Sequence, residues 1–169
     1  MSNKKNYRRY KSMLDKVYTL QFKNSAKSLL PQGQIKYHIQ NYQKYFRLSK
    51  KEFSKKKILE TGAGPGIHAA VLSLMGAEVH AADILNSNIK KIQKIKNIYK
   101  LSKLKIIKHD FMKIFPNLKT FNLVACHNWI QHTPNPQKVF INLTSKMSLG
   151  SRFYLSCYLS GTFRFFITQ

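Results

Sequence analysis

Lys57-Ile-Leu-Glu-Thr61, then Gly62-Ala-Gly64-Pro-Gly66, then an apolar run from Ile67 to Met75 closed by Gly76: this stretch settles the architecture. The first five residues read as a short buried strand. The glycines turn the backbone sharply and leave room where a Cβ would collide. The run from Gly66 to Met75 reads as a helix, with Gly76 as its stop. Strand, glycine loop and helix in immediate succession form the opening unit of a parallel α/β sheet.

Moving downstream, the alternation continues. Glu78-Val-His-Ala-Ala82 reads as a second strand, and Ser87 to about Leu101 as a helix with Ile89, Ile92, Ile95 and Ile98 inward. Leu104 to Lys108 gives a third strand and Phe121 to Cys126 a fourth. Pro136 opens another helix, with Val139, Phe140, Leu143 and Met147 inward. Arg152 to Tyr158 is the fifth strand. Right-handed crossovers then cover both faces of the sheet, and a ligand sits beyond the carboxyl ends of the strands. Upstream, residues 1–8 read as a basic tail, followed by a helix from about Tyr10 to Phe22. A break at Pro31-Gln-Gly33 precedes a second helix carrying Ile35, Ile39, Tyr42 and Phe46 along one stripe. The expected division is a basic helical extension over residues 1–52 and a core over residues 53–169.

The residues just after each strand carry the chemistry. Gly62, Gly64 and Gly66 lead into a helix whose first N–H groups can meet a polar ligand. Asp83 ends the second strand, one helix and one strand beyond Gly66, where an acid can accept both hydroxyls of a ribose. Asp110 follows the third strand and can accept an adenine amino group, with Phe111 flanking the ring; the alternative is a loop carboxylate paired with Lys108 or Lys113. Ser87 or Asn86 is expected to cap the second core helix, which leaves Asp83 free for a ligand. Of only six acids, Glu60, Asp83 and Asp110 fall at three successive strand ends.

The segment from about Lys57 to Tyr158 resembles the class I, Rossmann-like methyltransferase domains that use S-adenosyl-L-methionine. The run Phe121-Asn-Leu-Val-Ala-Cys-His-Asn-Trp-Ile-Gln-His132-Thr-Pro-Asn-Pro136 is similar to the fourth-strand motif of members acting on small molecules and quinone-like acceptors. The resemblance implies a doubly wound, mostly parallel sheet. It implies that Asp83 holds the ribose, Glu60 approaches the methionine amino end, Ile84 and Phe111 border adenine, and the backbone at His127 closes over the methionine portion. It further implies methyl transfer to a small-molecule acceptor by in-line displacement, with O-, N- and C-methylation all open. His132 follows the fourth strand, where the family often keeps a histidine. It is a candidate general base, and a structural imidazole bonding the loop backbone is the alternative. Three features depart from the pattern. Asn122 stands where an acid is common, Gly150-Ser151 replaces a glycine pair, and the closing antiparallel pair of the seven-stranded sheet has no counterpart among about five strands. The expectation is therefore a fragment, weak in catalysis and prone to self-association through an exposed C-terminal edge rich in Phe163, Phe165, Phe166 and Ile167.

Composition constrains the rest. Thirty Lys and Arg oppose six acids, a formal charge of +24. Such a field attracts polyanions, so weak, nonspecific nucleic-acid binding through the basic N-terminal segment is expected. Drift in composition accounts for the same count equally well. Half of the cations precede Lys57, and none falls between Thr61 and Ile89. A stretch so free of cations has local chemistry to protect. Cys126 and Cys157 fall in apolar strand-like runs and read as buried free thiols, which, with no secretory signal, points to the cytoplasm. No metal site is expected, since His68, His80, His109 and His127 lack ligand spacing. No apolar run approaches ~18 residues, so no membrane span is expected. A nucleic-acid methyltransferase or basic binding module lacks an Asn-Pro-Pro-aromatic run at Cys126-His-Asn-Trp129. A nicotinamide-dependent oxidoreductase, suggested by Gly64-Pro-Gly66-Ile-His-Ala69, gives Glu60 and the Trp129-to-Pro136 loop no role.

Overall fold

The computed structural model describes residues 7–9, 12, 13, 16, 32–115 and 120–158. Most of the helix expected over Tyr10–Phe22, and the aromatic segment after Tyr158 from residue 159 on, lie outside the described residues. The elements run α1 (Gln32–Phe46), α2 (Lys50–Phe53), β1 (Lys57–Thr61), α3 (Ile67–Leu74), β2 (Glu78–Asp83), α4 (Asn86–Ile98), β3 (Leu104–Lys108), β4 (Phe121–His127), a 3-10 turn (Ile130–His132), α5 (Pro136–Thr144) and β5 (Met147–Ser156). The sheet order is β3-β2-β1-β4-β5, and every neighbouring pair is parallel. This is the α/β, Rossmann-like doubly wound arrangement, with strand order reversing at β1.

β1 lies at the centre, and its burial shows it: Ile58, Leu59 and Thr61 are fully buried and Glu60 is 1% exposed. One core cluster joins Ile58, Val79, Ala81, Leu104 and Leu123 to Ala69, Leu72 and Ile92 of the helices. Tyr42 and Phe46 of α1 belong to that same cluster. The second cluster holds Leu59, Phe121, Val124, Val139 and Leu143 with Phe111 and Phe115. Asn122 has a structural use: its Oδ1 accepts the Lys57 N–H at 2.9 Å and fixes the entry of β1 beside β4.

Several expectations are corrected in detail. The break at Pro31-Gln-Gly33 is shorter than expected, since α1 already begins at Gln32 and includes Gly33. Ile98 is 44% exposed. Isoleucines at every third position drift around a helix of about 3.6 residues per turn, so Ile98 ends opposite Ile89 while Ile92 remains fully buried. Met147 lies in β5, and Phe140 is 41% exposed with its ring edge on Phe153. β5 starts at Met147, well before the expected Arg152, because the chain bulges against β4: the register jumps between Phe121 and Leu123, with Gly150 at φ 77°. The Ser151 hydroxyl donates to the Phe121 carbonyl at 2.7 Å across the bulge. Cys126 is buried, as expected, and burial pushes its thiol up to about 12; Cys157 is exposed, because it lies past the last paired residue of β5. The basic cluster after Ser49 contains a capping box, Ser49 with Glu52, that starts α2.

Candidate cofactor site

β1 ends in a loop whose three glycines all have positive φ: 57° at Gly62, 53° at Gly64 and 91° at Gly66. At two of them the reason for glycine is explicit. A Cβ on Gly62 would lie 2.6 Å from the indole of Trp129, and one on Gly66 would lie 2.9 Å from Ile92 of α4. Gly66 therefore permits close helix packing, and Gly62 accommodates a side chain of this same protein. Trp129 is fixed there by donating from Nε1 to the Thr61 hydroxyl at 3.1 Å; that hydroxyl in turn donates to the Ala125 carbonyl at 2.8 Å. The indole also lies 4.8 Å from the Phe111 ring. The sequence alone gives Trp129 no role, because its partner Gly62 follows a different strand, far away along the chain.

Asp83 is buried at the end of β2 and braces the glycine loop. Its Oδ2 accepts the Gly64 N–H at 2.9 Å and the Asn88 amide at 3.2 Å, and its Oδ1 accepts the Leu85 N–H at 2.8 Å. Burial raises its pKa, while these donors oppose the rise. The expectation that Ser87 or Asn86 caps the next helix is overturned. Leu85 occupies the cap position without a side-chain bond, and the Asp83 carboxylate receives the Leu85 N–H instead. Ile84, half-buried, follows at the same corner.

Asp110 follows β3. Its Oδ1 accepts the Met112 N–H at 3.1 Å, and its Oδ2 takes the hydroxyl of Tyr7 from the N-terminal segment. Neither partner is one of the lysines considered from sequence. Phe111 is buried against Phe115 and Trp129. His132 sits at the end of the 3-10 turn, its N–H bonded to the Trp129 carbonyl at 3.0 Å and its Nε2 3.3 Å from the Gln131 amide nitrogen. Burial lowers its pKa, so the ring is neutral at neutral pH.

Glu60 and His127 meet directly. The Glu60 Oε1 lies 2.9 Å from His127 Nδ1, while Glu60 Oε2 is buried without a hydrogen-bond partner among the described residues. A buried carboxylate oxygen left without a donor is costly, so a cationic or N–H-bearing ligand fits this position. The His127 side chain, rather than only its backbone, is thus part of the site. Its ring stacks on His68 of α3 at 4.2 Å and 6°, and the Tyr42 hydroxyl of α1 bonds His68 Nδ1 and lies 3.5 Å from His127 Nε2. The Tyr154 ring of β5 lies 4.8 Å from that of His127. The sequence alone marks none of His68, Tyr42 or Tyr154 as a site residue, since each arrives on a different element.

The arrangement can now be compared with known proteins. The family model described as a methyltransferase domain matches residues 34–162. Two relatives are ubiquinone biosynthesis O-methyltransferases. That of Rickettsia prowazekii (strain Madrid E) is 35% identical over 94 residues, which cover 54% of this chain and 36% of the relative. That of Rickettsia typhi (strain ATCC VR-144 / Wilmington) is 34% identical over 99 residues, covering 57% of this chain and 39% of the relative. The chain thus spans well under half the length of these relatives. Among solved structures, a protein of Pyrococcus horikoshii OT3 superposes with a TM-score of 0.64 at 22% identity, over 82% of this chain and 62% of that one. Coclaurine N-methyltransferase bound to N-methylheliamine and SAH gives 0.61 at 12% identity, over 71% of this chain and 34% of that one. These superpositions establish the fold.

Proposed function

The chain belongs to the methyltransferase-domain family, and from that premise we propose that it binds S-adenosyl-L-methionine and directs its methyl group to a small-molecule acceptor. The observation that carries the reading is the buried Glu60 carboxylate, which keeps one oxygen without a partner among the described residues at the mouth of the glycine loop. The bound cofactor supplies an already activated methyl on a sulfonium. The protein's part is to orient it, keep water away and hold the acceptor in line. On this reading Asp83 takes the ribose hydroxyls, Glu60 the amino group, Gly62, Gly64 and Gly66 allow the backbone approach, His127 closes over the methionine portion, and Ile84, Asp110 and Phe111 border adenine. On this reading the Trp129 indole, which stands where a Cβ of Gly62 would lie, moves aside for the cofactor. The relatives' names favour a hydroxyl acceptor, and the neutral His132 is the candidate to take its proton.

Calorimetric titration of the full chain with S-adenosyl-L-methionine and with NAD tests the reading. Heat with the methyl donor is expected; heat with NAD alone overturns it. Among the described residues no helix is long and apolar enough to cross a membrane. Weak attraction of polyanions to the basic N-terminal segment, and self-association along β5, complete the proposal.

A further inference from the structure

Charge is sorted along the strands. Glu60, Asp83 and Asp110 stand at or just beyond the carboxyl ends of β1, β2 and β3, while Lys56 precedes the amino end of β1. Arg152 of β5 lies level with Ile58 at that same end, since both pair with Leu123 of β4. β5 bulges there. Phe121 pairs with Met147 and Leu123 with Arg152, so Ser148 to Ser151 face Asn122 alone, with Gly150 at φ 77°. The bulge opens a cavity of about 260 Å³ walled by Lys56, Asn122, Ser148, Ser151 and Arg152. The length of β1, Lys57–Thr61, separates it from the glycine loop, roughly 13 Å at the rise of a strand.

Donors dominate this wall. The Asn122 Oδ1 is taken by the Lys57 N–H, so its amide nitrogen remains to donate. One guanidinium nitrogen of Arg152 bonds the Phe46 carbonyl, which pins the group and leaves further donors of its five. The Ser148 and Ser151 hydroxyls lie 2.8 Å apart, and Ser151 donates to the Phe121 carbonyl. Among the described residues neither Lys56 nor Arg152 forms an ion pair. Glu52 feels both charges, but its carboxylate is held chiefly by the Ser49 N–H and hydroxyl. Two cations lining one cavity without a counter-charge repel each other until an anion joins them.

We propose that this cavity is a phosphate-binding site, separate from the cofactor site, in which Lys56 and Arg152 share an oxyanion and Asn122 donates to it. The net +24 draws anions to the whole surface, and fixed donors in a concave wall are what single out this place. A phosphate group fills only part of the cavity, so the site takes a phosphate ester, carried by a small molecule or by a nucleic-acid backbone.

The test is amide NMR of the isotope-labelled full chain titrated with sodium phosphate, against sodium chloride at equal ionic strength. Saturable shifts are expected at the Gly150, Ser151 and Arg152 amides with phosphate and not with chloride. Lys56→Gln should weaken the affinity roughly tenfold, as for one charge-assisted contact, while Lys90→Gln, at an exposed position of α4, should leave it unchanged. Spectral dispersion reports that each variant is folded. Glycerol phosphate and a short single-stranded RNA then separate the sources. Tighter binding of the first, weakened by Lys56→Gln, upholds the site with a small ester as its ligand; tighter binding of the second, weakened likewise, upholds it with a nucleic-acid backbone. Shifts that do not saturate, that chloride reproduces, or that Lys56→Gln and Lys90→Gln weaken alike overturn the proposal.

Discussion

At the scale of single residues, the site holds groups already engaged and, in Glu60 Oε2, a buried carboxylate oxygen without a partner among the described residues. Asp83 is engaged by Gly64, Leu85 and Asn88, so it shapes the loop as well as facing it. Asp83→Ala removes a charge-assisted partner, and cofactor affinity should fall by about 1.5–3 kcal/mol in a calorimetric titration. Gly62→Ala meets both a left-handed backbone and the Trp129 indole at 2.6 Å. A loss of about 2 kcal/mol or more is expected from the shift in denaturant midpoint, and adding Trp129→Ala should recover only the steric part. Trp129 is the only tryptophan in the chain. If the cofactor displaces it from Gly62, its fluorescence must change on binding; an unchanged spectrum at saturation would contradict that movement. Glu60, Asp83 and the glycines are legible in the sequence because strand, loop and helix follow one another locally. The stack of His68 on His127 is not, because one ring comes from α3 and the other from β4, and no local pattern records which rings will meet.

At the scale of elements, the central strands are readable and the outer ones less so. β1 and β3 fall where the apolar runs place them, and β2 and β4 extend one residue further. α4 departs from expectation at Ile98 because a three-residue spacing resembles an inward stripe over two turns and leaves it over three. β5 departs because its first residues, Met147–Gly150, precede a bulge that only pairing with Phe121 produces. Among the described residues β5 forms one end of the sheet order. Leu149 and Leu155 of β5 and Ile141 of α5 are exposed there. Such apolar surface beside a strand edge favours association. Light scattering should therefore show self-association that weakens in a Leu149→Glu, Ile141→Glu variant.

At the scale of the whole molecule, two properties are set by charge. Any nucleic-acid binding should be steeply salt-dependent and should come mainly from residues 4–57, measured by titrating a labelled RNA at two salt concentrations against a full chain whose Lys and Arg in that segment are replaced by Gln. Acid should destabilise the fold. His38, His68, His80, His109 and His132 all have pKa values lowered chiefly by burial. They are neutral when folded but take up protons near 6.5 once unfolded, so their stabilising contribution is full above 6.5 and is lost as pH falls through their folded values, which for His68 is about 3. Thermal midpoints should drop across that window, with a shallower slope in His68→Phe. The central position of β1 has a consequence in time as well. Its partner β2 leaves the ribosome soon after it, but Ile58 must wait for Leu123. At ordinary elongation rates that interval is on the order of seconds. Throughout it, one edge of the central strand has backbone donors and acceptors without partners. Nascent chains stalled before β4 should remain open to protease, and resistance should arrive only once β4 has emerged and closed that edge.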